Sequence, residues 1–155
     1  MSNQQNVEPF WQSYLATLPE NHLHTYMDVP EAWSFGYGEE MAERLGALVL
    51  QGGKTATCCR YLGNNLLEEA GVSIILDGRG EPMCVIDTFE ITVKRFRDVD
   101  AAWAKAEGEG DLSLEHWRRA HWNFFTAEAK KEGYAVSEDM LLCCERFRVV
   151  YSPRE

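Results

Sequence analysis

An α+β fold with a small, mostly antiparallel sheet is the class this sequence predicts, and three observations predict it. Two amphipathic helical segments occupy the first third of the chain. Two apolar segments on either side of Asp77-Gly78-Arg79-Gly80 then read as a β-hairpin. An aromatic-rich helical block follows, ahead of one last apolar strand. The strands are too short for a sandwich, and helices alternate with them too sparsely for a doubly wound sheet.

Taken in order, Glu8-Pro9-Phe10-Trp11 with Tyr14, Leu15 and Leu18 places apolar residues at helical spacing, and Pro19 ends the run. Residues 21–30 are polar and carry His22 and His24. No acidic or cysteine partner stands at ligand spacing from that H-x-H pair, so a solvated loop is expected. A helix is predicted over 39–51, where Met41, Ala42, Leu45, Leu48 and Val49 form one stripe. Gly52-Gly53 stops it, because glycine adopts the left-handed conformation without penalty. Residues 54–61 alternate as a strand, and further strands are predicted over 72–77, 83–93 and 140–151. Between the last two lie a short helix over 101–106 and a longer one that starts at Ser113. The longer helix carries Leu114, Trp117, His121, Phe124, Phe125 and Glu128 at helical spacing and stops near Gly133. With no repeat, linker or low-complexity tract, residues 1–155 read as one domain with an N-terminal helical extension over about 1–30.

Composition sets further bounds. A chain of 155 residues with 45% apolar content buries roughly 70% of its unfolded surface and needs no staple. No apolar run approaches the ~20 residues of a membrane span, and the start lacks the basic and apolar regions of a secretory leader, so a cytoplasmic protein is expected. The 15 Lys+Arg against 25 Asp+Glu, a net charge of −10, disfavour a long duplex, whose binding is driven by counterion release onto Lys and Arg. A small ligand or a few nucleotides suits this charge better. Cysteines stand at 58, 59, 84, 143 and 144; adjacent pairs on strands face opposite ways, so no C-x-x-C knuckle forms and reduced, mostly buried thiols are expected.

Gly52-Gly53-Lys54-Thr55-Ala56-Thr57 contains G-K-T but is no P-loop. The required upstream glycine is Leu48, and the order is helix, loop, strand. Lys54 and Thr57 have opposite strand parity, so they converge only if the strand start is irregular, as the glycines before it permit. A lysine beside a threonine hydroxyl is a base for a nucleophile; otherwise the two are a surface lysine and a β-forming threonine. In Glu107-Gly108-Glu109-Gly110-Asp111 the three carboxylates read either as helix N-terminal acids or as an acid/base site. Trp117, His121, Trp122, Phe124 and Phe125 supply mostly core, with one tryptophan available to stack a base. His116 is too far round the helix to pair with His121.

These motifs, with Leu76-Asp77-Gly78, Leu114-Glu115-His116-Trp117-Arg118 and the strand Leu141-Leu142-Cys143-Cys144-Glu145-Arg146-Phe147, resemble the ASCH-domain family over residues 33–150. The resemblance is nearest to the longer bacterial members with the E-G-E-G-D block. It implies a PUA-like small β-barrel with flanking helices and a cleft lined by the lysine loop. From a short branch that hydrolyses N4-acetylcytidine, the resemblance carries over Lys54, Thr57 and Glu109 as the catalytic residues. In that reading Lys54 activates Thr57, and Glu109 protonates the leaving amine. Gly53, Arg60, Trp117 and Ser137 then line the substrate side, with no metal and no cofactor. Cys58-Cys59 departs from the small or hydroxyl residues usual after the threonine. The resemblance also implies, as the second reading, a ribonuclease or RNA-binding module, whose partner is a short single-stranded RNA rather than a nucleoside; no membrane partner is expected. As a loop lysine, Lys54 is expected to be replaceable by alanine with loss of turnover and little loss of stability.

Overall fold

A computed structural model describes residues 4–63 and 71–153. In chain order these form α1 (Gln4–Leu15), a 3-10 turn (Leu23–Tyr26), β1 (Ala32–Trp33), α2 (Gly38–Gln51) and β2 (Ala56–Arg60). Then come β3 (Gly71–Leu76), β4 (Pro82–Arg95), a second 3-10 turn (Phe96–Asp98), α3 (Ala101–Glu107), α4 (Leu114–Glu132) and β5 (Leu141–Tyr151). The strands make one sheet in the order β1-β3-β4-β5-β2. The β2/β5 and β3/β4 pairs are antiparallel and β1/β3 is parallel, so the α+β class with a mostly antiparallel sheet is observed. Among the described residues no helix is long and apolar enough to cross a membrane.

The chain forms two compact units, and both β4 and β5 run through the two of them. The first comprises Met1–Leu50, Gly71–Thr88 and Arg148–Glu155. Its core sets Val7, Trp11 and Tyr14 of α1 against Val72, Ile74 and Leu76 of β3 and Val85 of β4. Pro9 lies inside α1 rather than at its start, so the helix lacks the hydrogen bond its missing N–H would donate. The burial of Val7, Trp11 and Tyr14 to 2% exposure or less holds the helix in place of that bond. His22 and His24 are not in an open loop. His22 Nδ1 accepts from His24 N at 3.0 Å, and His24 Nδ1 meets Tyr14 Oη at 2.8 Å, which pins the 3-10 turn to α1.

α2 buries Ala42, Leu45, Gly46 and Val49, and its first turn carries Glu39 and Glu40 where the helix dipole favours acids. Asp77 shapes the β3–β4 turn by accepting from Arg79 N and Glu81 N at 2.8 and 3.0 Å. The turn is also tied to α2: Gly78 N donates to Glu43, and a Cβ on Gly78 would stand 2.3 Å from the Glu39 carbonyl oxygen. β1 is a strand of two residues, too short to show any periodicity, and the sequence reading passed over it.

The second unit comprises Gln51–Ala70 and Phe89–Phe147. Its core gathers Phe96, Trp103, Trp117 and Phe125 around Ala56, Leu142 and Cys144. Asp100 and Ser113 cap α3 and α4 with their side chains, and Gly108 and Gly133 end them in the left-handed conformation. In the β2/β5 register Cys58 stands opposite Cys144 and Cys59 opposite Cys143; all five cysteines are thiols, none joined in a disulfide.

Trp11 is 1% exposed, and its truncation would leave a cavity against β3. Trp11→Ala is expected to lower the stability by about 3–5 kcal/mol, read as a lowered midpoint in urea denaturation.

Candidate functional site

The lysine loop is docked by its backbone onto the end of α3. Thr55 N donates to Ala106 O at 2.9 Å, and Phe147 N donates to Thr55 O at 3.1 Å. Gly108 has φ +75, and a Cβ there would lie 1.9 Å from Gly53 O, so glycine is required at 108 on two grounds. This close approach turns Lys54 inward. Its side chain is 1% exposed, and Nζ donates to Ala56 O at 2.9 Å, Glu107 Oε1 at 3.4 Å and Glu109 Oε2 at 3.3 Å.

Glu107 is the centre of this arrangement. Its Oε2 accepts from the indole nitrogens of Trp103 and Trp117 at 2.8 and 2.7 Å. Its Oε1 faces Lys54 and His121 Nε2, the latter at 3.2 Å. The His121 ring stacks on Trp117 at 4.2 Å, and its Nδ1 lies 2.9 Å from Trp117 O. Burial alone would raise the Glu107 carboxyl; the Lys54 ammonium, His121 and the hydrogen bonds from His121 and Trp117 more than offset it, holding the group at about 2. Burial opposes charge on His121 as well, yet the Glu107 carboxylate beside it leaves the imidazole raised above its ordinary value. The Cys58 thiol is pushed well up by burial and then by Glu107.

The structure brings Lys54 and Glu109 together, with the Glu109 side chain 18% exposed. Gly53 is exposed beside them and packs on Gly108. Thr57 is partly buried on β2 opposite Glu145, on the sheet face shared with Cys59, whose thiol donates to Glu145 Oε2 at 3.7 Å. Ala56 and Cys58 occupy the other face. Asp111 accepts from Ser113 N at 2.9 Å and serves the start of α4. Gly110 lies beneath the His116 ring, where a Cβ would meet Nε2 at 2.3 Å.

Four expectations need correction or restatement. Trp117 is 2% exposed and donates to Glu107, so it offers no face for a substrate to stack on; Trp122, at 38%, does. Arg60 lies over the Tyr134 ring at 3.7 Å and pairs with Glu132 at 3.3 Å, which directs its guanidinium to the end of α4. Ser137 is exposed and accepts from Asp139 N, shaping the turn before β5. Lys54 is not a loop lysine of small structural weight, because a buried charge with two carboxylate partners cannot be deleted without stranding them. Sequence reasoning also passed over Glu107, His121 and Trp103 as a set. Two signals were present: Trp103 and Glu107 stand one helical turn apart, and an acid in the last turn of a helix opposes the dipole unless something specific holds it.

Comparison with known proteins gives a match of residues 31–151 to a family model described as the ASCH domain. The crystal structure of protein EF3133 from Enterococcus faecalis V583 is 37% identical, covers 95% of this chain and 89% of its own, and superposes with a TM-score of 0.80. The ASCH domain structure from Lactobacillus crispatus JV V101 is 29% identical, covers 95% of each chain, and superposes with a TM-score of 0.85. No curated protein matches.

Two predictions concern stability. Glu107 lies below its ordinary 4.5, so its contribution is complete above about pH 4.5 and lost as the pH falls toward about 2. The loss is on the order of 3 kcal/mol. His121 lies above its ordinary 6.5, so its contribution is complete below that value and lost as the pH rises through the raised one. Denaturant melts across pH should place the cluster's largest contribution between about pH 4.5 and 6.5. Glu107→Gln leaves Lys54 and His121 with a neutral amide and should cost about 3–5 kcal/mol at pH 6, while flattening the acid limb.

Proposed function

The chain belongs to the ASCH-domain family, and on that premise we propose that it hydrolyses an acyl amide on a pyrimidine nucleoside, N4-acetylcytidine or a close analogue, at the Lys54–Glu109 pair. The supporting observation is the pair itself, a buried ammonium 3.3 Å from a carboxylate that keeps 18% of its side chain exposed. A ligand meets the carboxylate, and the ammonium behind it is screened from water. When the ligand excludes water, Lys54 passes a proton to Glu109, while Glu107 stays ionised against His121 and the two indoles. Thr57 stands on the other face of β2 from Cys58, so neutral Lys54 takes its hydroxyl proton through one bridging water as Oγ1 attacks the acyl carbonyl. The C–N bond then breaks, and the Glu109 proton goes to the N4 amine as the nucleoside leaves. In the second half Glu109 takes a proton from the attacking water, Lys54 returns one to Thr57 Oγ1, and the carboxylic acid departs. Glu107 keeps Lys54 in place throughout and touches no substrate. A neutral nucleoside also meets no repulsion from a chain of net charge −10.

A second reading, binding or cleavage of single-stranded RNA, is favoured by one surface. Arg118 and Trp122 are both exposed and one turn apart on α4, the pairing of a phosphate contact with a stacking ring. The negative charge lies mostly elsewhere: the first unit has 4 Lys and Arg against 11 Asp and Glu, the second 11 against 14.

Incubation with N4-acetylcytidine and chromatography for cytidine tests the first reading. Wild type should turn over, Thr57→Ala should lose at least about 100-fold with unchanged melting temperature, and Glu109→Gln should lose as much with a lowered melting temperature, since it removes one partner of the buried Lys54. Turnover retained in both variants overturns the assignment. For RNA, Trp122→Ala should weaken binding of a labelled single strand by about 1–3 kcal/mol without affecting nucleoside hydrolysis.

A further inference from the structure

We infer that Cys58, Glu107 and His121 form a binding site for a thiophilic divalent cation of the zinc type. One thiol sulfur, one carboxylate oxygen and one imidazole nitrogen lie within 4.8 Å of one another. They come from β2, the end of α3 and α4, so three packed elements fix them independently. The edges of a tetrahedron around zinc are roughly 3.3–3.8 Å for the usual bond lengths. The 3.2 Å between His121 Nε2 and Glu107 Oε1 is already close to one such edge.

The partners behind these ligands point the same way. His121 Nδ1 engages the Trp117 carbonyl, which leaves Nε2 as the nitrogen facing the cluster. Two indoles fix Glu107 Oε2, which leaves Oε1 as the converging oxygen. Metal sites orient ligating histidine and carboxylate in this way. Sulfur and imidazole donors select zinc or cobalt over magnesium or calcium, which take oxygen ligands. Cys144, opposite Cys58 in register, places a second buried thiol on the same face of the sheet.

Lys54 already stands 3.4 Å from Glu107 Oε1, and it has a separate partner in Glu109 at 3.3 Å. Glu107 can therefore turn to a metal while Lys54 stays neutralised. The incoming cation displaces the Cys58 thiol proton and the His121 Nε2 proton to solvent. Two positive charges replace two, and the buried region gains no net charge.

Cobalt titration of the purified full chain, first stripped with chelator, tests the site without any nucleoside. Wild type should develop a thiolate-to-cobalt absorption band in the near ultraviolet that added zinc removes. Cys58→Ser should lose the band and weaken binding by at least about 100-fold, since even partners behind a ligand are worth 10–100-fold. His121→Gln should behave likewise, and Cys59→Ser, on the opposite face of β2, should keep the band. Absence of the band in wild type, its survival in Cys58→Ser, or its loss in Cys59→Ser overturns the site. Failure of nucleoside hydrolysis has no bearing on these readings.

Discussion

The carboxylate of Glu107 is the constraint on which the second unit depends. It is 1% exposed, and four donors converge on its two oxygens: two indoles, an ammonium and an imidazole. A buried charge is tolerable only when paired and hydrogen-bonded throughout. Each donor is in turn positioned for this role: the two indoles by α3 and α4, His121 by its stack on Trp117, and Lys54 by a loop docked on the end of α3. The ordinary hydrophobic core of this unit is built around the same tryptophans. Packing and charge satisfaction are therefore carried by the same side chains, and a substitution in one disturbs the other.

This arrangement separates the two glutamates of the Glu-Gly-Glu-Gly-Asp block by task. Glu107 is sealed and holds Lys54. Glu109, two residues on, reaches the same ammonium from the solvent side. Gly108 makes the split possible: its left-handed backbone reverses the chain direction at the end of α3, so consecutive acids approach Lys54 from different sides.

Much of the fold was legible because it rests on local signals. Ser113, Gly133 and the spacing from Leu114 to Phe125 gave α4 nearly to its ends, and Asp77-Gly78-Arg79-Gly80 gave the β3–β4 hairpin. β1 was not legible, since two residues carry no period and its pairing with β3 is decided by tertiary contact. In the site, the loop lysine and the acidic block were found as separate motifs, and their meeting at Lys54 and Glu109 is a matter of chain path. The burial of Glu107 was missed because a run of acids between glycines has the composition of a solvated turn. Trp117 was misread for the complementary reason: an aromatic on an amphipathic helix shows its period but not whether its ring is open to solvent.

Lys54 and Glu107 lie 53 residues apart along the chain. Closing so long a loop costs entropy before any contact repays it, and until it closes each charge remains in water, where it needs no partner. A half-assembled second unit that had collapsed its tryptophans without Lys54 would enclose an unpaired carboxylate, a state of high free energy. Partly folded forms of this region are thereby disfavoured, so its helices and its lysine loop should gain structure together, late and cooperatively.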